Sequence, residues 1–193
     1  MIDTISDYIA NLYVSKKIIN AKDIEVYKYG ITLILNDVIT FTIIMTIATF
    51  VGRFRFGSEF LITFCTTRVY CGGYHAKEEY VCRTTMLSTF FAILFISNAI
   101  KSCSISTIII IIMISFTLLL PLIPVKHPNK VLTEKQMKIN KKKGILIYTF
   151  YSLLSLILCI FKCYSDAIII ALSLSAVTLL AIIGTYTNER SEN

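Results

Sequence analysis

Residues 31–51 form an apolar run, Ile31–Val51, of 21 residues. A helix that crosses a bilayer core of about 30 Å needs roughly 20 such residues. One run of this kind already removes most folds available to a chain in water. Further apolar runs follow at Met86–Ile100, Ile105–Val125, Gly144–Phe161 and Ala167–Thr187. The shorter run Phe60–Tyr70 is interrupted by Arg68. Only 16% of the 193 residues are charged and 55% are hydrophobic, against roughly 25% charged in a soluble domain. Disorder, a coiled coil and a typical soluble enzyme are excluded. No sustained alternation suggests a β-barrel. The expected fold is all-α: a polytopic integral membrane protein of about six membrane segments. The second segment is short or re-entrant.

Residues 1–28 precede these runs. Ile2, Ile5, Ile9 and Leu12 recur at helical spacing among Asp3, Ser6, Asp7 and Asn11, which predicts an amphipathic cytoplasmic-side helix that either packs on the rest of the protein or lies in the membrane interface. Asp3 and Asp7, with no basic start, are unlike a signal peptide. Residues 29–193 are expected to form one transmembrane domain.

The cations set the orientation. With the N-terminus inside and six crossings, the inner segments hold 14 Lys and Arg and the outer loops hold 4. Positive charge is retained on the cytoplasmic side, so both termini and both long polar segments are expected there. A re-entrant second segment would invert this parity. The segment 126–143, KHPNKVLTEKQMKINKKK, has seven Lys and one Glu. It reads as a basic cytoplasmic loop that fixes topology or binds an acidic peptide or anionic lipid. It lacks the interleaved aromatics of a nucleic-acid surface.

The other polar segment, 68–85, reads RVYCGGYHAKEEYVCRTT. Polar residues this dense beside a membrane segment are costly unless used. Here His75 and Cys82 form a candidate pair. A thiol is a poor nucleophile until an imidazole takes its proton. Gly72 and Gly73 allow positive φ or a close backbone approach. Arg68 would offset a developing oxyanion or orient a carboxylate. Glu78 and Glu79 are candidates for a third member or solvated charges. Seven residues apart on one helix, His75 and Cys82 would be separated by about 10.5 Å along its axis. The reactive pair therefore predicts a break, with His75 folding back over the helix that carries Cys82. Zinc at Cys71, His75 and Cys82, with Cys65 nearby, is a competing reading, although no Cys-x-x-Cys clamp occurs. Incidental polar residues are another. No metal and no cofactor is expected. His127 reads as a solvated loop residue. Asn36 and Asp37 sit inside the first long run, where polar groups usually face a protein interior or wet cavity.

The pattern Arg68-x-x-x-Gly72-Gly73-x-His75-x6-Cys82, the Pro-Val-Lys-His-Pro-Asn-Lys segment 124–130 and the lysines 141–143 resemble the accessory gene regulator B (AgrB) family. These are membrane cysteine endopeptidases of Gram-positive quorum sensing. The resemblance implies a multi-pass protein of the bacterial plasma membrane with its reactive site at the cytoplasmic face. It implies an AgrD-like precursor peptide as partner, with Cys82 as nucleophile and His75 as general base. The acidic tail of the precursor would be removed and a thiolactone or lactone ring formed. It also implies a homodimer in contact with membrane lipids. Lys126, Lys130, Lys138, Lys141, Lys142 and Lys143 would dock the acidic tail, and Asn36 and Asp37 would face a cavity for the leader. A peptide transporter or exporter without covalent chemistry is the alternative, favoured by the intramembrane Asp37 and Arg68.

Overall fold

The computed structural model describes residues 2–72, 79–100, 104–125 and 133–192. Among these residues seven α-helices follow in order: α1 Ile2–Ser15, α2 Ile24–Phe50, α3 Phe54–Cys71, α4 Glu79–Ala99, α5 Ile105–Leu119, α6 Glu134–Ile160 and α7 Tyr164–Glu192. Lipid supplies no hydrogen-bond partners, and a helix satisfies its backbone internally.

Among the described residues, four helical segments are long and apolar enough to cross a membrane: 21–50, 81–99, 134–160 and 164–187. The expected count of six is thus four by length and composition. The apolar α5 has 15 residues, about 22 Å at 1.5 Å per residue. The charges Arg55, Glu59 and Arg68 lower the hydropathy of α3. Yet α3 is an inner helix. Its Phe60 and Phe64 are fully buried, and it packs against α2, α6 and α7.

Contacts at the helix ends fix the directions. Arg55, in the first turn of α3, donates to Asp166 in the first turn of α7 at 2.6 Å. Gly52, Ser97 and Tyr164 line a pocket of about 290 Å³ at this same end. At the other end the Val125 N–H donates to the Cys71 carbonyl at 3.2 Å, and Gly144 of α6 lies against Tyr70 and Cys71. The helices from α2 to α7 therefore alternate in direction. α3 runs from one end of the bundle to the other and does not turn back.

Packing follows membrane rules, in which small residues let backbones approach. A Cβ added at Gly57 would stand 2.6 Å from the Ala48 Cβ. On α2, Thr32, Asn36, Thr40, Ile44 and Ala48 are buried at every fourth position, while Leu33, Ile34 and Val38 stay exposed for lipid. The central helix is α7, which packs against α3, α4, α5 and α6. Phe60 stacks on Phe64 at 5.2 Å and meets Phe90 of α4 edge-on at 5.5 Å.

Two local expectations need correction. The amphipathic helix covers 2–15, not 1–28. Its buried positions are Ser6 and Ala10, whereas Ile5 is 42% exposed. Close packing on α2 selects the small face, and an ion pair of 2.6 Å between Asp7 and Lys28 joins the two helices. The second correction concerns the basic loop, because residues 134–143 are helical. Thr133 accepts from the Gln136 N–H at 3.3 Å, and the Gln136 side chain accepts from the Thr133 N–H at 3.0 Å. This reciprocal cap satisfies two donors at the start of α6.

Candidate functional site

Three helices supply the polar residues at the end of the bundle where α3 finishes and α4 begins. Arg68 comes from the last turn of α3. Cys82 and Arg83 lie in the first turns of α4. Asn36 and Asp37 come from α2.

The Arg68 Nη2 donates to the Cys82 sulfur at 3.7 Å. This guanidinium also stands over the Phe64 ring, 5.6 Å from its centroid, which limits where it can swing. Both Arg68 and Cys82 are half-buried. A guanidinium is always protonated in proteins, so the sulfur faces a permanent positive charge. A second arginine, Arg83, donates to the Asn36 side-chain oxygen. The Asn36 amide nitrogen donates to the Thr32 carbonyl at 3.1 Å. Asn36 is buried, at 7% exposure, and these two bonds fix the orientation of its amide.

Asp37 behaves differently from its neighbour. It is exposed, because successive helix residues point about 100° apart. Its carboxylate lies within electrostatic range of Arg68 and Cys65. Asn36 thus packs inward, while Asp37 is exposed on the side of Arg68.

Gly72 takes φ 78° and ψ −172°, a region essentially reserved for glycine. A Cβ there would stand 3.0 Å from the Val125 backbone nitrogen. The positive φ was expected. The close neighbour is the protein's own chain, entering from α5, and no room for a substrate chain remains on that side. Cys71 is fully buried, and its thiol lies 3.8 Å from the Gly144 carbonyl. It is thus a packing residue at the crossing of α3 and α6. Among the described residues no group of three His, Cys, Asp or Glu could hold a metal.

Lys138, Lys141, Lys142 and Lys143 are exposed on the first turns of α6. The Lys143 ammonium stands 5.4 Å from the Tyr70 ring centroid. The basic turns of α6 and the Cys82 sulfur therefore share one end of the bundle. Gly73, His75, Glu78, Lys126, His127 and Lys130 lie outside the described residues, as does the side chain of Glu79.

Arg83 is the residue that the sequence reading passed over as one inner-loop cation. The available signal was a full charge near the start of an apolar helix, which needs a partner.

The Accessory gene regulator B family matches residues 3–179, from α1 into α7, with Arg68, Cys82 and the lysines of α6 inside the match. No curated protein and no solved structure matches the chain. With that match over most of its length, this all-helical, membrane-type chain belongs to the accessory gene regulator B (AgrB) family of the agr quorum-sensing system.

Proposed function

We propose that the protein is a membrane-embedded cysteine endopeptidase, with Cys82 as nucleophile and His75 as its general base. It removes the acidic tail of an AgrD-like precursor at the cytoplasmic face and passes the remainder on to ring closure. The observation that carries this reading is the Arg68 guanidinium 3.7 Å from the Cys82 sulfur. A cation at that place attracts negative charge on sulfur, which is the reactive form of a cysteine. The exporter alternative would use Arg68 for charge inside the membrane, but here its guanidinium is turned to a thiol. We also propose that all of α2 to α7 cross the membrane, which the alternating helix directions support.

His75 belongs to the segment between Gly72 and Glu79. Gly72 is four residues beyond Arg68, and Glu79 is three residues before Cys82. Both anchors of the segment are thus tied to the residues that meet at the sulfur. In the proposed reaction His75 takes the proton of the Cys82 thiol. The thiolate attacks the carbonyl carbon that joins the signal region to the tail. The C–N bond breaks, the tail leaves as an amine, and His75 returns the proton to it. A thioester on Cys82 remains. The precursor's own cysteine gives its proton to His75 and attacks that thioester. The new carbon–sulfur bond closes a thiolactone, and Cys82 leaves as a thiolate and regains a proton. Water must be kept away from the thioester, and a site among apolar helices supports that. The lysines of α6 offer an acidic tail a charge-complementary surface at the same end.

Replacement of Cys82 with Ala or Ser tests the reading. Tail cleavage of a co-expressed precursor should be lost while membrane insertion is kept, and His75→Ala should behave alike. Unimpaired processing by Cys82→Ala would overturn it.

A further inference from the structure

Cys82 is carried by a helix, so whatever sets the rotation of α4 sets the place of its sulfur. Cys82 and Arg83 are adjacent and point about 100° apart. One side chain meets Arg68 of α3, and the other reaches Asn36 of α2. We propose that the Arg83–Asn36 bond is a positioning clamp, holding the start of α4 at the rotation that keeps the Cys82 sulfur on Arg68. The proposal rests on the reading of Cys82 as the nucleophile, and its test can fail independently of that reading.

The receiving side of the clamp is rigid. Asn36 is buried, its side-chain nitrogen donates to the Thr32 carbonyl at 3.1 Å, and only its backbone carbonyl accepts from the Thr40 hydroxyl, at 2.7 Å. Arg83 therefore meets an oxygen whose place is set by α2 and not by its own helix. A hydrogen bond from a charged donor is stronger than a neutral one, and low polarity strengthens it further. The cysteine side has little tolerance. Cα atoms lie about 2.3 Å from a helix axis, and a side-chain sulfur about 5 Å from it. A rotation of about 20° moves such an atom by roughly 1.7 Å. A contact already at 3.7 Å does not survive that displacement. Among the described residues the hydrogen bond to the sulfur comes from Arg68, and the lysines of α6 lie on another helix. Loss of the clamp should therefore lower kcat and leave KM for the precursor unchanged.

The test reads the sulfur directly, in the full-length protein reconstituted in liposomes. Cys82 is alkylated with iodoacetamide at a fixed pH near 7, and its rate is followed by mass spectrometry of the peptide that contains it. Asn36→Ala should slow alkylation about tenfold, because a sulfur moved off the Arg68 guanidinium loses much of the charge attraction that favours its reactive form. Asn36→Asp keeps an acceptor oxygen for Arg83 but loses the bond to Thr32, and should slow alkylation less than Asn36→Ala. Thr40→Ala removes a neighbouring bond on α2 but not the clamp, and should stay within about twofold of the unmodified protein. Arg83→Gln breaks the charged bond from the other side and should match Asn36→Ala, which covers the case in which Asn36→Ala fails to insert. Alkylation at the original rate in Asn36→Ala or Arg83→Gln would overturn the clamp, as would equal slowing by Thr40→Ala. If the clamp variants alkylate normally while Cys82→Ala abolishes processing, the clamp fails and the endopeptidase stands. If Asn36→Ala slows alkylation while Cys82→Ala still processes precursor, the endopeptidase fails and the clamp stands.

Discussion

Replacing Arg68 with Gln keeps a polar side chain of similar width and removes one charge from the Cys82 sulfur. The magnitude follows from the 3.7 Å separation. A unit charge pair at that distance is worth about 4.5 kcal/mol at an effective dielectric of 20, and about 1.1 kcal/mol in water. Both groups are half-buried, so water screens part of the attraction and about 2 kcal/mol is the working value. At 1.36 kcal/mol per factor of ten, that corresponds to a loss of about thirtyfold. The assay is single-turnover tail cleavage in liposomes with saturating precursor, run beside alkylation of Cys82. Arg68→Gln should slow both rates by a similar factor. Arg68→Lys keeps the charge but not the fork-shaped donor, and its loss should be smaller. Arg68→Gln within twofold of the unmodified protein in both assays would refute the electrostatic reasoning. Slower cleavage with unchanged alkylation would refute it as well, since Arg68 would then act on the substrate and not on the sulfur.

Three further outcomes follow from the packing and the charge. Gly72→Ala places a Cβ 3.0 Å from the Val125 backbone at a φ of 78°. It should cost about 1–3 kcal/mol and lower the unfolding temperature in detergent; an unchanged temperature would contradict that strain. Charge reversal of Lys141, Lys142 and Lys143 to Glu should raise KM for a precursor with an acidic tail by about tenfold or more, with kcat retained. A precursor with a neutral tail should show no such change, and equal effects on both would exclude docking by charge. Gly57→Val forces a side chain into a space 2.6 Å from the Ala48 Cβ. Overpacking of this kind costs about 1–3 kcal/mol, which should appear as lower yield of folded protein while Cys82 alkylation in the folded fraction is unaffected.

The long apolar runs made α2, α4, α6 and α7 legible, because length and hydropathy decide whether a helix can span. α3 was harder to read. Its Arg55 is neutralised by Glu59 at 2.9 Å and by Asp166 at 2.6 Å, and hydropathy counts these charges without seeing their pairing. The start of α6 was mistaken for a loop because its lysines dominate, although Thr133-x-x-Gln136 is a capping-box pattern present in the sequence. The periodicity of α1 identified a helix but did not show which face packs on α2: that face is Ser6 and Ala10, while Ile5 stays exposed. Small side chains there let the backbones of α1 and α2 approach closely.

At the site, Cys82 and Arg68 were legible because polar residues in an apolar setting are conspicuous. Their mutual contact was not, since it depends on how α3 and α4 lie side by side. Asn36 was singled out for the same reason as Arg68. Its partner Arg83 stands 47 positions away, and nothing in a single sequence links the two.

The central claim is that a bond to the Cys82 sulfur forms during processing. A precursor whose own cysteine is replaced by alanine would allow cleavage but not ring closure, so the thioester should accumulate. Intact-mass measurement of the protein after incubation with that precursor reads it directly. The endopeptidase mechanism requires an added mass equal to the precursor without its tail, located on the peptide containing Cys82 and absent in Cys82→Ala and His75→Ala. Release of the tail with no adduct on Cys82, and with Cys82→Ala still cleaving, would contradict it.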